Sequence, residues 1–152
     1  MEDIGKFIGI KHGFAGNDFD KCDCFGLVQL FYKEHGWPQT FNDGKPYPSE
    51  DEYAQPKFWR RLYEYLLRHF DEVDYKSLSY GDVVVFKING CIHLGIYLEY
   101  GKVLAMEVPT IEGKSTSTIY HRHIWTQCFE HGFRRKKHER GFTRMYGSSK
   151  RK

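Results

Sequence analysis

Apolar residues in the first half of the chain recur at three- and four-residue spacing in two segments, which is the spacing of one helix face. The first segment spans residues 24–35 and ends before Gly36 and Pro38, two residue types that terminate helices. The second spans residues 57–70, with Pro56 suited to its first turn. The sequence therefore predicts two amphipathic helices, with apolar faces formed by Leu27, Val28, Leu30 and Phe31 and by Phe58, Leu62, Tyr65 and Leu66.

From residue 83 onward the pattern changes to one typical of β-strands. Residues 83–88 and 91–98 are rich in β-branched and apolar side chains, and Asn89-Gly90 between them is a strong hairpin signal. The turn at residues 99–101 leads to a third strand over 102–108, with weaker strands over 116–120 and 125–135. Residues 11–23 and 37–56 are irregular, since they hold Gly, Pro, Asn and Asp. This order predicts an α+β fold, with N-terminal helices packed on an antiparallel β-meander.

Length and composition predict a single aromatic-rich domain. The chain has 152 residues, of which 17% are aromatic. No apolar run approaches the roughly 20 residues that span a bilayer, and residues 1–6 lack the basic and apolar regions of a secretory signal. Four cysteines do not make a dense disulfide framework, so we expect reduced thiols and synthesis in a cytoplasm without a signal peptide.

Positive charge is concentrated at the C-terminal end. Residues 134–152 hold nine Lys and Arg residues against one acid, Glu139, a balance of +8; because the whole chain carries +3, the remainder carries −5. We therefore divide the chain into a domain over residues 1–135 and a basic tail over residues 136–152. The tail is either a solvated segment or a docking segment for a partner. Nucleic acid is disfavoured as that partner, because aromatic residues are sparse in the tail and no nucleic-acid motif accompanies it.

Cys24 and His93 are the candidate catalytic pair. Cys24 begins the first predicted helix, where unpaired backbone N–H groups stabilise a thiolate and the oxyanion of a tetrahedral intermediate. His93 shares one strand face with Gly95, and a glycine there suggests that another element approaches closely, the helix of Cys24 being the obvious candidate. In this arrangement His93 takes the thiol proton and returns it to the leaving amine.

Two motifs resemble those of a known family. Residues 23–28 read Asp-Cys-Phe-Gly-Leu-Val, and residues 93–98 read His-Leu-Gly-Ile-Tyr-Leu after Gly-Asp-Val at 81–83. Their order and spacing resemble the NlpC family, papain-like cysteine peptidases of bacterial cell walls, over residues 4–135. The aromatic residue after the cysteine and the closing Gly-Phe-Arg at 132–134 are most similar to the bacteriophage tail branch of that family.

The resemblance implies a papain-like NlpC fold, with Cys24 as the nucleophile and His93 as the general base. It implies peptidoglycan stem peptides as substrates, typically cut at γ-D-glutamyl–diaminopimelate bonds, with no cofactor or metal. A phage tail-tip component that helps local cell-wall penetration is the expected role. Its partners are then other phage tail proteins, contacted through the basic tail, and its location is the virion tail.

The groups around the catalytic pair depart from the family pattern. The resemblance implies a tyrosine near the oxyanion site, but His12 stands at that position and becomes the candidate oxyanion donor. The polar residue that orients the histidine falls at Ala105, whose side chain forms no hydrogen bond. A three-residue turn at 99–101 predicts a register with Ala105 opposite Gly95 and Glu107 opposite His93. Glu107 is thus either the residue that orients and charges the imidazole or a solvated strand end.

Two alternatives to an active peptidase stay open. One is a structural zinc module, because two pairs of zinc-ligand residues are present, although one intervening residue in each pair is a tight spacing: Cys22 with Cys24, and Cys91 with His93. The other is a weakly active or inactive tail-tip or baseplate subunit with the same fold. Several aromatic residues suit a substrate groove and core packing equally well, namely Trp37, Tyr47, Tyr53 and Trp59.

Overall fold

The computed structural model describes residues 3–53, 55–107 and 115–136, and it confirms the predicted α+β class. Four helices, six strands and three short 3-10 turns form along these ranges, with three of the helices before the first strand. In chain order the elements are α1 (Cys24–Glu34), α2 (Glu50–Tyr53), α3 (Pro56–His69), β1 (Phe70–Val73), β2 (Val83–Ile88), β3 (Cys91–Tyr97), β4 (Val103–Met106), β5 (Ser117–Tyr120), α4 (Arg122–Trp125) and β6 (Phe129–Arg135).

Both predicted long helices form close to their predicted limits. The Asp23 side chain caps α1 by accepting a hydrogen bond from the Gly26 N–H at 2.6 Å. The helix ends before Gly36, whose φ of 70° is in the left-handed region that glycine adopts readily. Pro56 occupies the first turn of α3, and Leu62, Tyr65 and Leu66 form the buried part of that helix, as the spacing predicts.

The six strands form one antiparallel sheet with the order β1-β6-β2-β3-β4-β5. Strands β2 to β5 are the predicted meander. The last strand does not continue it, because β6 returns across the sheet and inserts between β1 and β2. The sequence pattern misses β1 altogether. The predicted strand over 125–135 is corrected, because α4 and a 3-10 turn at Thr126–Cys128 come first and β6 begins only at Phe129.

The two predicted turns within the meander are confirmed. Asn89 and Gly90 have φ values of 51° and 80°, which the tight turn between β2 and β3 requires. Tyr100 and Gly101 have φ values of 59° and 77°, and the resulting register places Gly95 opposite Ala105. The ladder between β3 and β4 therefore has the register that the sequence predicts.

The sheet separates two apolar clusters. The larger cluster contains α1, α3 and the strand face that carries Leu94 and Ile96. The smaller one lies against the opposite face, around Trp125, and its fully buried members are Val84, Phe86, Val103 and Ala105, all of them 0–1% exposed. The helix that carries Cys24 thus packs on one face of the sheet only.

An ion pair joins two of the sequence motifs. Asp82 follows Gly81 at the start of β2 and is buried, and its carboxylate accepts hydrogen bonds from the Arg134 guanidinium at 2.8 to 3.2 Å. Arg134 belongs to the closing Gly-Phe-Arg segment on β6. The Gly-Asp-Val motif and the Gly-Phe-Arg segment, far apart in the sequence, are therefore in contact through the neighbouring strands β2 and β6.

The predicted basic tail falls mostly outside the described residues. Strand β6 ends at Arg135, and Lys136 forms an exposed ion pair with Asp71 at 3.1 Å. Residues 137–152 are not described, so the division into a domain and a tail stays a prediction. Among the described residues, no helix is both long and apolar enough to cross a membrane.

Candidate active site

Cys24 is the first residue of α1, and its thiol is surrounded by hydrogen-bond donors. The Sγ atom lies 3.0 Å from the Tyr53 hydroxyl, with either atom able to donate. Backbone N–H groups of Phe25, in the first turn of α1, and of Leu94, on β3, also hydrogen-bond the sulfur. The thiol therefore sits where a helix N-terminus meets the edge of the third strand.

The Cys24 thiol is protonated at neutral pH in this structure. Burial, followed by the charge of Asp23, raises the pKa of Cys24 from 9.0 to about 11, and the hydrogen bonds from Tyr53, Leu94 and Phe25 offset only part of that effect. Attack by this cysteine therefore needs a base that removes the proton.

Asp23 fixes the loop in front of the nucleophile. Its buried carboxylate accepts hydrogen bonds from the Ala15 N–H at 2.8 Å, the Gly26 N–H at 2.6 Å and the Tyr47 hydroxyl at 2.7 Å. Burial nevertheless raises the pKa of Asp23, because desolvation outweighs the hydrogen bonds. The carboxylate ties the 11–23 loop and the segment around Tyr47 to the start of α1.

The irregular segment before α3 places an aromatic cover over the thiol. Tyr53, on the short helix α2, is held by Phe14 in an edge contact at 5.7 Å, by Phe58 in a stacked contact at 5.1 Å and by Tyr47 at 6.2 Å between ring centroids. The sequence leaves Tyr47 and Tyr53 undecided between groove and core. The structure brings them to the two residues at the start of α1, Asp23 and Cys24.

His93 lies on β3, one residue before the Leu94 backbone that contacts the nucleophile. The residue is partly buried, and its ring stacks on its cross-strand partner Phe86 with centroids 5.9 Å apart. Within residues 3–53, 55–107 and 115–136, no hydrogen bond joins His93 to Cys24. Burial lowers the pKa of His93, so the imidazole is neutral at pH 7 and able to accept a proton.

The structural reason predicted for Gly95 is wrong. A Cβ added to Gly95 would lie 2.6 Å from a Val103 methyl group and 3.1 Å from the Ala105 Cβ, so this face is crowded by the neighbouring strand. Helix α1 packs on the other face, against Leu94 and Ile96. The glycine accommodates β4, and the nucleophile reaches β3 through the backbone of Leu94.

The predicted supporting groups make other contacts in this structure. The His12 side chain is exposed and lies close enough to Asp23 to offset part of the rise in the pKa of that carboxyl, whereas the hydroxyl at the Cys24 sulfur belongs to Tyr53. Glu107 follows the end of β4, and its Oε1 accepts hydrogen bonds from the Thr116 N–H at 2.9 Å and the Thr116 hydroxyl at 3.3 Å. The contact predicted between Glu107 and His93 is therefore not formed.

The four residues of the zinc alternative are not brought together as a site. The buried Cys22 thiol donates to the Asp18 carbonyl at 3.2 Å, whereas Cys91 is exposed. In the part of the chain that the structure describes, no group of three or more His, Cys, Asp or Glu side chains is arranged to hold a metal ion. Cys22 packs as a small apolar residue in the larger cluster.

Phe25 and Tyr47, which lie next to the site, also line an open cavity of about 320 Å³. Its polar wall contains Lys45, Asp43 and Arg61. The Arg61 guanidinium donates to the Asp43 carboxylate at 2.6 and 3.0 Å and holds the pKa of that carboxyl at about 2. Arg61 is engaged in this pair, whereas Lys45, another described cation of the wall, forms no ion pair at short distance with a described residue and is near enough to Asp43 to lower the pKa of that carboxyl.

Comparison with known proteins shows a family match over the part of the chain that contains this site. The model of the NlpC/P60 family matches residues 9–132. Among solved structures, NlpC2 from Trichomonas vaginalis superposes with a TM-score of 0.53 at 17% identity, over 87% of this chain and 43% of that chain. An NlpC/P60 family protein from Bacillus cereus gives a TM-score of 0.54 at 23% identity, over 85% and 36%. The NlpC/p60 domain of the peptidoglycan hydrolase SagA gives 0.50 at 16%, over 85% and 90%.

These likenesses concern the fold, since every identity is low. The chain spans less than half of the Trichomonas and Bacillus proteins but nearly all of the SagA domain. No curated protein sequence matches the chain significantly.

Proposed function

The chain belongs to the NlpC/P60 family, and from that premise we propose that it is a cysteine peptidase acting on the peptide stems of peptidoglycan. Members of the family are cysteine peptidases and peptidoglycan hydrolases. The observation that carries the proposal is the placement of Cys24 at the capped N-terminus of α1, where its sulfur hydrogen-bonds the Tyr53 hydroxyl and the Leu94 N–H, and shares the Phe25 N–H with the Tyr53 oxygen. Such a site stabilises both a thiolate and an oxyanion.

In the proposed reaction His93 carries the proton and Cys24 forms the covalent bond to the substrate. The neutral imidazole of His93 turns from Phe86 and accepts the thiol proton, and the sulfur attacks the carbonyl carbon. The resulting oxyanion collapses to a thioester while the imidazolium protonates the leaving amine. Water then attacks the thioester, His93 accepts a proton from that water, and the proton returns to the sulfur as the carboxylic acid leaves.

The substrate bond that we propose is the γ-D-glutamyl–diaminopimelate bond. Motif resemblance is one support, and the cavity beside Phe25 and Tyr47 is another, because Lys45 in its wall suits a peptide that carries several carboxylates. Lys45→Ala should raise KM for a stem peptide several-fold and leave kcat nearly unchanged, whereas Lys33→Ala, on the exposed side of α1, should change neither. An unchanged KM in Lys45→Ala would exclude this cavity as the subsite.

Digestion of purified peptidoglycan tests the proposed reaction. Mass spectrometry of fragments released from sacculi should show a new amino group on diaminopimelate with the wild-type protein and none with Cys24→Ala. Cys91→Ser is the matched control, since Cys91 is an exposed free thiol. Fragments that end at another bond would correct the substrate, and a lack of fragments would reject the peptidase proposal.

The biological setting that we propose is a phage tail tip, where the enzyme opens the cell wall locally and contacts other tail proteins through its basic tail. The phage-like features of the motifs support it, namely Phe25 after the cysteine and the closing segment Gly132-Phe133-Arg134. Mass spectrometry of purified virions from the phage that encodes the chain should find the protein in the tail fraction. Its absence from virions, with activity in the host lysate, would place it outside the particle.

A structural tail subunit with the same fold is the second candidate. The hydroxyl of Tyr53 covers the thiol, His93 stacks on Phe86, and Ala105 occupies the position of the orienting residue. This candidate predicts that Cys24→Ala virions infect as well as wild-type virions. The peptidase proposal predicts that they adsorb normally but penetrate the wall less efficiently.

A further inference from the structure

Tyr53 is the one side chain among the described residues whose hydroxyl contacts the candidate nucleophile. It comes from α2, 29 residues beyond Cys24 in the chain, and no sequence motif identifies it. Its Oη lies 3.0 Å from the Cys24 sulfur and 3.3 Å from the backbone nitrogen of Phe25. One oxygen atom therefore touches both the attacking atom and an N–H group at the helix N-terminus.

The direction of these hydrogen bonds defines what the hydroxyl can do. The Phe25 N–H donates to the Tyr53 oxygen, so the hydroxyl proton of Tyr53 is free to be donated in turn. The Cys24 sulfur lies within reach as an acceptor, at 3.0 Å, and the Tyr47 oxygen is a second acceptor near the same hydroxyl. During attack, the sulfur bonds the carbonyl carbon of the substrate, and the oxygen bonded to that carbon develops negative charge. A hydroxyl 3.0 Å from the sulfur is placed to donate a hydrogen bond to this oxygen.

The surroundings keep Tyr53 protonated and in place. Burial raises the pKa of Tyr53 well above 10, and the negative charges that Cys24, Asp23 and Tyr47 carry when ionised raise it further, so Tyr53 acts as a neutral donor. The ring contacts Phe14, Phe58 and Tyr47, which limit its movement. A donor held in this way needs little reorganisation when charge develops.

We propose that Tyr53 is a catalytic residue, whose hydroxyl donates a hydrogen bond first to the Cys24 thiolate and then to the oxyanion of the tetrahedral intermediate. This inference rests on the proposed peptidase function. Tyr53 keeps its proton throughout, so the proton transfers stay with His93 and the leaving amine. The exposed His12 is then not required as an oxyanion donor.

Tyr53→Phe tests the role, because it removes the hydroxyl and keeps the ring between Phe14 and Phe58. Tyr63→Phe is the matched control, since Tyr63 packs on Trp59 and His131 and does not contact the thiol. Loss of one oxyanion donor should lower kcat on a stem peptide about a hundredfold with little change in KM. Tyr63→Phe should retain wild-type kcat.

A second readout does not depend on the substrate. Iodoacetamide alkylation of Cys24, followed by mass spectrometry as a function of pH, reports the thiolate directly. Besides Tyr53, the titratable side chains that interact with this thiol among the described residues are Asp23 and Tyr47, and both are unchanged in Tyr53→Phe. The alkylation midpoint of that variant should move to higher pH, because the hydrogen bond from Tyr53 lowers the pKa of Cys24.

The two readouts separate this inference from the proposed function. If wild-type protein cleaves no peptidoglycan but Tyr53→Phe raises the alkylation midpoint, the hydroxyl–thiol interaction stands and the peptidase proposal fails. If Tyr53→Phe is alkylated and turns over substrate as fast as the wild type or faster, the hydroxyl only covers the sulfur and the inference is overturned. Circular dichroism of both tyrosine variants shows whether they fold.

Discussion

A Cβ atom added to Gly26 would lie 1.7 Å from the carbonyl oxygen of Gly16. The loop before the nucleophile therefore crosses directly over the first turn of α1, and only a residue without a side chain fits at that point. The same crossing allows the Asp23 N–H to donate to the Gly16 carbonyl at 3.1 Å. The close packing of the loop on the helix thus explains why residue 26 is a glycine, without reference to catalysis.

Gly26→Ala should destabilise the fold by about 3 kcal/mol, because the backbone contact leaves no flexible side chain to move aside. Urea unfolding measures this free energy. Lys33→Ala, an exposed substitution on the same helix, should change it by less than about 0.5 kcal/mol. A Gly26→Ala variant as stable as the wild type would show that the loop and the helix do not approach this closely.

Arg134→Ala should also be strongly destabilising, because it leaves the buried Asp82 carboxylate without the guanidinium that contacts it at 2.8 Å. Breaking a buried pair on one side costs about 3 kcal/mol. The comparison is Lys136→Ala, which removes an exposed pair with Asp71 and should cost less than about 1 kcal/mol. Equal losses of unfolding free energy in the two variants would contradict the importance of the Asp82 contact.

The elements that the sequence predicts well are those encoded by local chemistry. Asp23 and Gly36 delimit α1, and the Asn89-Gly90 turn fixes the register of β2 and β3. The register of Gly95 with Ala105 also follows from one short turn. In each case, residues within a few positions of one another determine the outcome.

The predictions that fail depend on residues far apart in the chain. Strand β6 inserts beside β1 through contacts across more than fifty residues, and four residues with no clear periodicity form β1. Tyr53 reaches Cys24 because the segment 37–53, including the short helix α2, returns to the N-terminus of α1. Glu107 lies beyond the end of β4, where its carboxylate accepts a hydrogen bond from the Thr116 N–H rather than from His93.

The acid limb of the pH profile should lie below pH 6.5. Burial lowers the pKa of His93, so the imidazole stays neutral, and competent as a base, to lower pH than a free histidine. The pH dependence of kcat/KM on a stem peptide measures this limb. Glu107→Gln should leave it in place because its carboxylate is bound to Thr116, and a shift in that variant would restore Glu107 as a partner of His93.

Ala105→His should not restore an orienting residue. Ala105 is fully buried, and the space toward Gly95 is already tight, at 3.1 Å from a Cβ placed there. The imidazole would overpack the cluster around Trp125, at a cost of about 2 kcal/mol. Thermal unfolding should show a lower midpoint for Ala105→His than for Thr118→His, which changes the partly exposed partner on β5. A stable Ala105→His variant with faster turnover would contradict this explanation.

The central claim is that the Cys24 sulfur forms a covalent bond with a stem peptide. Denaturing mass spectrometry of acid-quenched reactions with a synthetic stem peptide measures this bond directly. Wild-type protein and Cys91→Ser should each gain the mass of one acyl group, mapped to Cys24, and release the amine product, whereas Cys24→Ala should do neither. Hydrolysis by Cys24→Ala at the wild-type rate, or an acyl group mapped to another residue, would contradict the account.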